Sequence, residues 1–277
     1  MGLELPEVLT LTEQMNKELK GKRIANAVLK NYDSLLKMGF IKPKPKELEA
    51  RLINKTIRSV NGDGKWLFIQ LKPEMKLVLG EILGKILYHS SNDTIPPKYN
   101  LLLEFEDNTY LTVIINFYGF IMAVNDNELK QLKYPGKLGL SPLDDKKFTF
   151  KKFNDILNES EKEIIKAVLL DQRRIAGIGN SYLQDILFRA KIHPKRKAAD
   201  IDAEERKVLF NAITKTLKKA LHLGGRDNEF DLYNKPGEYK PILDKNIKNK
   251  PCPECGKKIE KINVLGSSCY LCSACQI

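Results

Sequence analysis

The sequence predicts an α+β chain of several domains: an antiparallel β-sandwich with a helix beside it, a helical domain, and a small cysteine-rich module. Three observations carry this. Short β-rich runs fill residues 50 to about 125, helical periodicity takes over beyond residue 154, and four of the five cysteines form two Cys-x2-Cys pairs near the carboxyl end. The boundaries read as 1–144, 145–246 and 247–277. At 277 residues there is enough chain for each larger domain to bury a core.

The first element is an amphipathic helix over 6–20, with Val8, Leu11, Met15 and Leu19 on one face and Pro6 in the tolerated first turn. Strands follow at Trp66 to Leu71, Lys76 to Leu79, Ile86 to Tyr88, Asn100 to Phe105 and Tyr110 to Ile115, the last two joined by a Glu106-Asp107-Asn108 turn. Asp144 to Asn154, with four lysines, reads as a solvated linker. Ser160 with Glu163, and Asp202 with Glu205, carry the spacing of capping boxes at helix starts. Between them Gly177-Ile178-Gly179-Asn180 forms a tight turn, with Asn180 able to cap a helix to about Ala190. A later helix stops at Gly224-Gly225.

Lys and Arg number 47 against 35 Asp and Glu, a net charge of +12 that attracts polyanions, nucleic acid first among them. No run of about 18 apolar residues exists and no signal-peptide layout opens the chain, so a soluble, intracellular, cytoplasmic protein is expected, without a membrane partner. No coiled-coil seam appears, which favours a monomer. Cys252-x2-Cys255 and Cys272-x2-Cys275 stand sixteen residues apart, a spacing that suits one structural zinc ion in a hairpin; disulfide pairing is the rival reading. Cys269 is read as a spare, buried thiol.

Glu4-Leu5-Pro6-Glu7-Val8, the turn at Gly177 to Asn180 and the four-cysteine module closed by Cys275-Gln276 stand in an order that resembles the Fpg/Nei family of DNA glycosylases over the whole chain. That resemblance implies a β-sandwich, a helix-two-turns-helix domain, a zinc finger, and duplex DNA with a damaged or abasic site as partner. It also implies extrusion of a damaged base, attack on the sugar by an amino-terminal amine, and strand cleavage through a Schiff base. Glu4 matches the family's catalytic glutamate, but Leu3 stands where the family has its amino-terminal proline. Gly2, once Met1 is removed, would offer a primary amine one residue further out. Lys65, in Gly64-Lys65-Trp66-Leu67, matches the family's β-hairpin lysine and is a second candidate amine; the bland reading is an exposed strand-end lysine.

For DNA binding, Lys166 and Asn180 match the family's phosphate-binding pair, against the plainer readings of a solvated helix lysine and a helix cap. His193 reads as structural. Ser267 stands where the family's finger carries an arginine, and Glu81, Asn116 and Tyr118 align with the three residues that fill the gap left by the flipped base. Tyr118 could wedge by stacking and Asn116 could bond the orphaned base, whereas Glu81 would repel phosphate. Gly224 to Tyr239, with Arg226, Asp227, Asp231 and Tyr233, stands where the family has a mobile loop over the extruded base, and a plain connection to the finger is the equal alternative. The functional expectation is a base-excision-repair glycosylase, possible AP lyase, acting at the nucleoid. A non-catalytic damaged-DNA-binding protein on the same fold is the alternative, and a zinc-ribbon RNA binder fits the Glu-Leu-Pro-Glu motif poorly.

Overall fold

The computed structural model describes residues 2–277. They form two compact units, one of residues 2–137 with 223–238 and one of residues 138–222 with 239–277. Residues 223–238, assigned from sequence to the helical domain, thus belong structurally with the amino-terminal unit.

That unit opens with α1 (Leu5–Leu19), whose Val8, Leu11, Met15 and Leu19 are all buried as their spacing requires. Next come β1 (Ile24–Leu29), α2 (Asp33–Lys37), β2 (Ile41–Lys42), α3 (Pro45–Leu52), β3 (Thr56–Asp63), β4 (Trp66–Lys72), β5 (Met75–Gly80) and β6 (Gly84–His89). The set closes with β7 (Leu101–Phe105), β8 (Tyr110–Ile115), β9 (Phe120–Val124) and α4 (Asp126–Gln131). Two sheets result, β1-β7-β8-β6 and β2-β9-β5-β4-β3, antiparallel throughout except for β2 beside β9. Their inner faces share one apolar core with α1 and α3, to which Leu232 of the 223–238 segment also belongs. The Asn16 amide ties α1 to β3 by donating to Val60 O at 2.6 Å and accepting from Val60 N at 2.8 Å.

All five expected strands are present. The elements not anticipated, β1, β2, β3, β9 and α2 to α4, are mostly too short or too weakly patterned for periodicity to reveal them.

The second unit holds α5 (Phe150–Asn158), α6 (Ile165–Leu170), α7 (Asn180–Arg189), α8 (Ala203–His222) and the hairpin β10 (Glu260–Val264) with β11 (Ser267–Leu271). The expected solvated linker is wrong at its end. Thr149 caps α5, and Phe148 and Phe153 are buried with Phe210 ring-to-ring against both, so apolar burial overrides the lysines. The Asp202 box is present: Asp202 Oδ1 accepts from Glu204 N and Glu205 N, and Asp202 N donates to Glu205 Oε2, each at 2.9 Å. The Ser160 box is not. Ser160 donates to Ile156 O within the preceding helix, Glu163 pairs with Arg174, and α6 starts after Ile164 without a side-chain cap. The cap of α7 is Gly179, with Asn180 the first helical residue, so the expected Asn180 cap is corrected too. No helix among the described residues is long and apolar enough to cross a membrane.

Candidate active site and nucleic-acid interface

In the amino-terminal unit the sheet register builds one side of the site. Trp66 pairs with Gly80 across β4 and β5, so the residues just outside that pair, Lys65 and Glu81, face each other. Glu81 N donates to Lys65 O at 3.1 Å, and the Lys65 ammonium stands 3.9 Å from the Glu81 carboxylate. One residue on, Ile82 O accepts from Leu3 N at 3.0 Å, which pins the amino-terminal segment to the same edge. Gly2 is required by that approach: a Cβ there would lie 2.7 Å from Ile82 O and 3.0 Å from the Ile82 carbonyl carbon. Burial raises the Glu81 pKa, against which Lys65 lowers it and Glu4 raises it. Glu81 therefore pairs with the hairpin lysine beside Glu4, which replaces the expectation of a carboxylate repelling phosphate.

The other side comes from α1 and from residues 223–238. Glu4 caps α1 and Glu7 is its third residue, in a capping box that has both halves; Glu4 N donates to Glu7 Oε2 at 3.0 Å. Both glutamates are buried. Arg226, 1% exposed, sits among them. Its backbone N and its Nε each donate to Glu7 Oε1 at 3.0 Å, and its Nη2 donates to Gly2 O at 2.8 Å. Nη2 also lies 3.5 Å from Glu229 Oε1, and Nη1 lies 3.9 Å from Glu4 Oε1. A positive φ of 95° at Gly225 makes the approach possible, since a Cβ there would meet Glu7 Cγ at 2.8 Å. Burial carries the Glu229 carboxyl up to about 7; Arg226 opposes the rise, and Glu7 and Glu4 add to it.

Residues 223–238 lie as a strap bonded along α1 and β6 of the amino-terminal unit. Leu232 N donates to Gln14 Oε1 at 2.9 Å, Gln14 Nε2 to Asp231 Oδ2 at 3.0 Å, Tyr88 N to Leu232 O at 2.9 Å and Tyr233 OH to Glu18 Oε1 at 2.7 Å. Lys85 Nζ lies 3.5 Å from the centre of the Phe230 ring. Sequence reasoning noted Arg226 and quoted Glu7 within its motif but gave neither this role, and did not single out Glu229. The one usable signal was Gly-Gly ahead of an arginine, which marks a close backbone approach.

The loop between β8 and β9 carries Asn116, Phe117 and Tyr118. Asn116 N donates to Leu83 O and Leu83 N to Tyr118 O, both at 2.8 Å. Tyr118 packs edge-on against Phe40 with centroids 4.5 Å apart, while Phe117 is 76% exposed. Phe117, which the sequence reading passed over, therefore presents the freer ring.

In the second unit Lys166 is fully buried, and its ammonium donates to Val264 O at 2.8 Å, Ser267 Oγ at 2.7 Å and Cys269 Sγ at 3.1 Å. The lysine expected at phosphate thus spends all three N–H bonds on the end of β10 and on β11 of the hairpin. Ser267 in turn donates to Asn180 Oδ1 at 3.3 Å, so Asn180, at the start of α7, is steadied from the finger. His193 is structural, its N donating to Ile277 O at 3.0 Å and its Nδ1 accepting from Lys195 N at 3.2 Å.

Cys252, Cys255, Cys272 and Cys275 bring their four sulfurs within 4.8 Å of one another, with Cys252 to Cys275 at 3.8 Å and Cys255 to Cys272 at 3.4 Å. A zinc ion with Zn–S bonds of about 2.3 Å has tetrahedral edges of about 3.8 Å, so the donor set fits structural zinc. Cys269 lies outside the set, buried against Lys166.

Comparison with known proteins accounts for both units. The formamidopyrimidine-DNA glycosylase N-terminal domain model matches residues 3–114, the formamidopyrimidine-DNA glycosylase H2TH domain residues 138–231, and the zinc finger found in FPG and IleRS residues 249–277. The chain belongs to the formamidopyrimidine-DNA glycosylase family. It is 30% identical over 280 residues to the formamidopyrimidine-DNA glycosylase of Cytobacillus firmus, with 99% of each chain covered. To that of Protochlamydia amoebophila it is 30% identical over 284 residues, again with 99% of each covered. Among solved structures it is similar to MutM (Fpg) from Thermus thermophilus, at TM-score 0.83, 27% identity and coverage of 99% and 98%. It is also similar to the Lactococcus lactis Fpg in a complex with abasic-site DNA, at TM-score 0.84 and 26% identity, with 99% of each chain covered.

Proposed function

We propose that the chain is a DNA glycosylase of base-excision repair that acts, as an intracellular, nucleoid-associated monomer, on a damaged base flipped out of duplex DNA. The observation that carries this reading is the buried Glu4 carboxylate at the tip of α1, fixed beside Gly2 and the Lys65–Glu81 pair in a chain of this family. A carboxylate held there stabilises positive charge developing on the sugar as the base leaves. An amine is needed for any lyase step, and Gly2, exposed by methionine removal, and Lys65 are the two candidates. Gly2 is favoured, because Lys65 already faces Glu81.

Asn180 and the amino end of α7 are assigned to phosphate, with Lys166 holding the finger hairpin that supports them. Asn116, with Phe117 or Tyr118, is assigned to the space left by the flipped base. Zinc supplies folding energy to the finger and takes no part in the chemistry.

The test pairs base release from duplexes carrying single oxidised or ring-opened bases with borohydride trapping at an abasic site. Glu4→Gln is expected to abolish release while duplex affinity persists. A wild-type chain that binds these duplexes but neither releases a base nor forms an adduct is a binder, and the glycosylase reading falls. Loss of the adduct in an amino-terminally extended chain assigns the amine to Gly2; loss only in Lys65→Ala assigns it to Lys65.

A further inference from the structure

We propose that Arg226 is the positioning residue of the amino-terminal active centre, and that Glu229, on the same strap, is the carboxyl that holds and returns the proton of the Gly2 amine. The proposal deepens the reading above and rests on it.

A glycine at the reacting end is the least constrained residue the chain could place there, and nucleophilic attack needs a nitrogen held still. Two bonds restrain this segment. Leu3 N is tied to Ile82 O, and the Gly2 carbonyl accepts from Arg226 Nη2 at 2.8 Å. Arg226 can serve because it is itself immobilised: Nε and the backbone N both bond Glu7 Oε1 at 3.0 Å, Gly225 lets the strap approach, and Leu232 anchors the strap in the core. The fork of the guanidinium is what the arrangement uses. One edge is spent on Glu7, Nη1 is turned toward Glu4, and Nη2 is shared between Gly2 and Glu229, a division that a lysine ammonium on a flexible stem cannot reproduce.

Glu229 meets the Gly2 carbonyl at that shared nitrogen, at 3.5 and 2.8 Å from it. The charged groups facing it are Arg226, Glu7 and Glu4, and beyond Glu4 stands the Glu81–Lys65 pair. Burial at this cluster, with Glu7 and Glu4 adding to it against Arg226, leaves Glu229 easily protonated near neutrality. An amino-terminal ammonium ordinarily titrates near 7.7–8.0, so proton exchange between the two is close to balanced. The step is a single proton transfer: the ammonium N–H bond breaks, the proton passes to the Glu229 carboxylate, and the nitrogen keeps the electron pair with which it attacks the sugar carbon.

The experiment uses the full zinc-loaded chain, with Met1 removal verified by mass spectrometry. It compares wild type, Arg226→Lys and Glu229→Gln in two readouts: the pH profile of borohydride trapping on an abasic-site duplex, and the NMR titration of the Gly2 amine after mild reductive methylation with ¹³C-formaldehyde. Arg226→Lys keeps the buried positive charge, and Glu229→Gln is isosteric, so both are expected to fold, which thermal melting checks. Arg226→Lys should slow trapping at least tenfold. Glu229→Gln should remove an ionisation near pH 7 from the trapping profile and displace the amine titration. Trapping that is active in wild type and unaltered in rate and profile in both variants overturns the proposal. Absence of trapping in wild type defeats the amine reading of the previous subsection instead. In that case the amine titration decides this one: displacement by Glu229→Gln upholds the coupling, and an unmoved titration overturns it.

Discussion

Replacing Arg226 with methionine leaves Glu4, Glu7 and Glu229 buried without the guanidinium that lies 3.9, 3.0 and 3.5 Å from them. Breaking a buried ion pair from one side costs about 3–5 kcal/mol, because the abandoned charge stays desolvated. Domain stabilities total only about 5–15 kcal/mol. With a urea dependence of about 2 kcal/mol per molar, the unfolding midpoint should fall by roughly 2 M. The assay is convenient here. Trp66 is the only tryptophan in the sequence and is buried in the amino-terminal unit, so its fluorescence reports that unit. Adding Glu229→Gln to Arg226→Met should recover about 1 kcal/mol or more, as expected for residues in contact. A midpoint shift below ~0.5 M would overturn this expectation, since the magnitude is taken from buried ion pairs.

Glu229→Gln alone tests the raised carboxyl. Between pH about 4.5 and about 7 the folded chain keeps a proton that the unfolded chain has released, so wild-type stability falls as pH rises through that window and is flat above it. The variant should lack that fall and exceed wild type at pH 8 by up to about 3 kcal/mol, and parallel pH profiles of the two proteins would count against it. Leu232→Ala should cost about 2–5 kcal/mol by urea unfolding, because the side chain is fully buried in the core shared by the sheets, and a loss under ~1 kcal/mol would mean the strap is not anchored there. Chelation of zinc should unfold the finger hairpin and weaken duplex binding in an anisotropy titration; unchanged folding and affinity after complete zinc removal would exclude a structural ion. Gly2→Ala should slow trapping at an abasic site well before it affects duplex affinity, since its Cβ would sit 2.7 Å from Ile82 O.

Whatever is written in local order could be read from the residues alone. The periodicity of Val8, Leu11, Met15 and Leu19 specified α1, the alternating runs specified five strands, and two Cys-x2-Cys pairs specified the metal site, because each signal lies within one element or one hairpin. Glu4 was singled out by the same kind of signal, a motif of five consecutive residues. The remainder emerged only in three dimensions. Arg226 and Glu7 are 219 positions apart in the chain, and nothing local in either announces the other. Lys166 looked like a surface lysine on a short helix until the β10–β11 hairpin, about a hundred residues later, supplied its three acceptors. One cause underlies both cases. A buried charge is tolerated only where acceptors or counter-charges converge on it, and folding, not sequence proximity, brings them together.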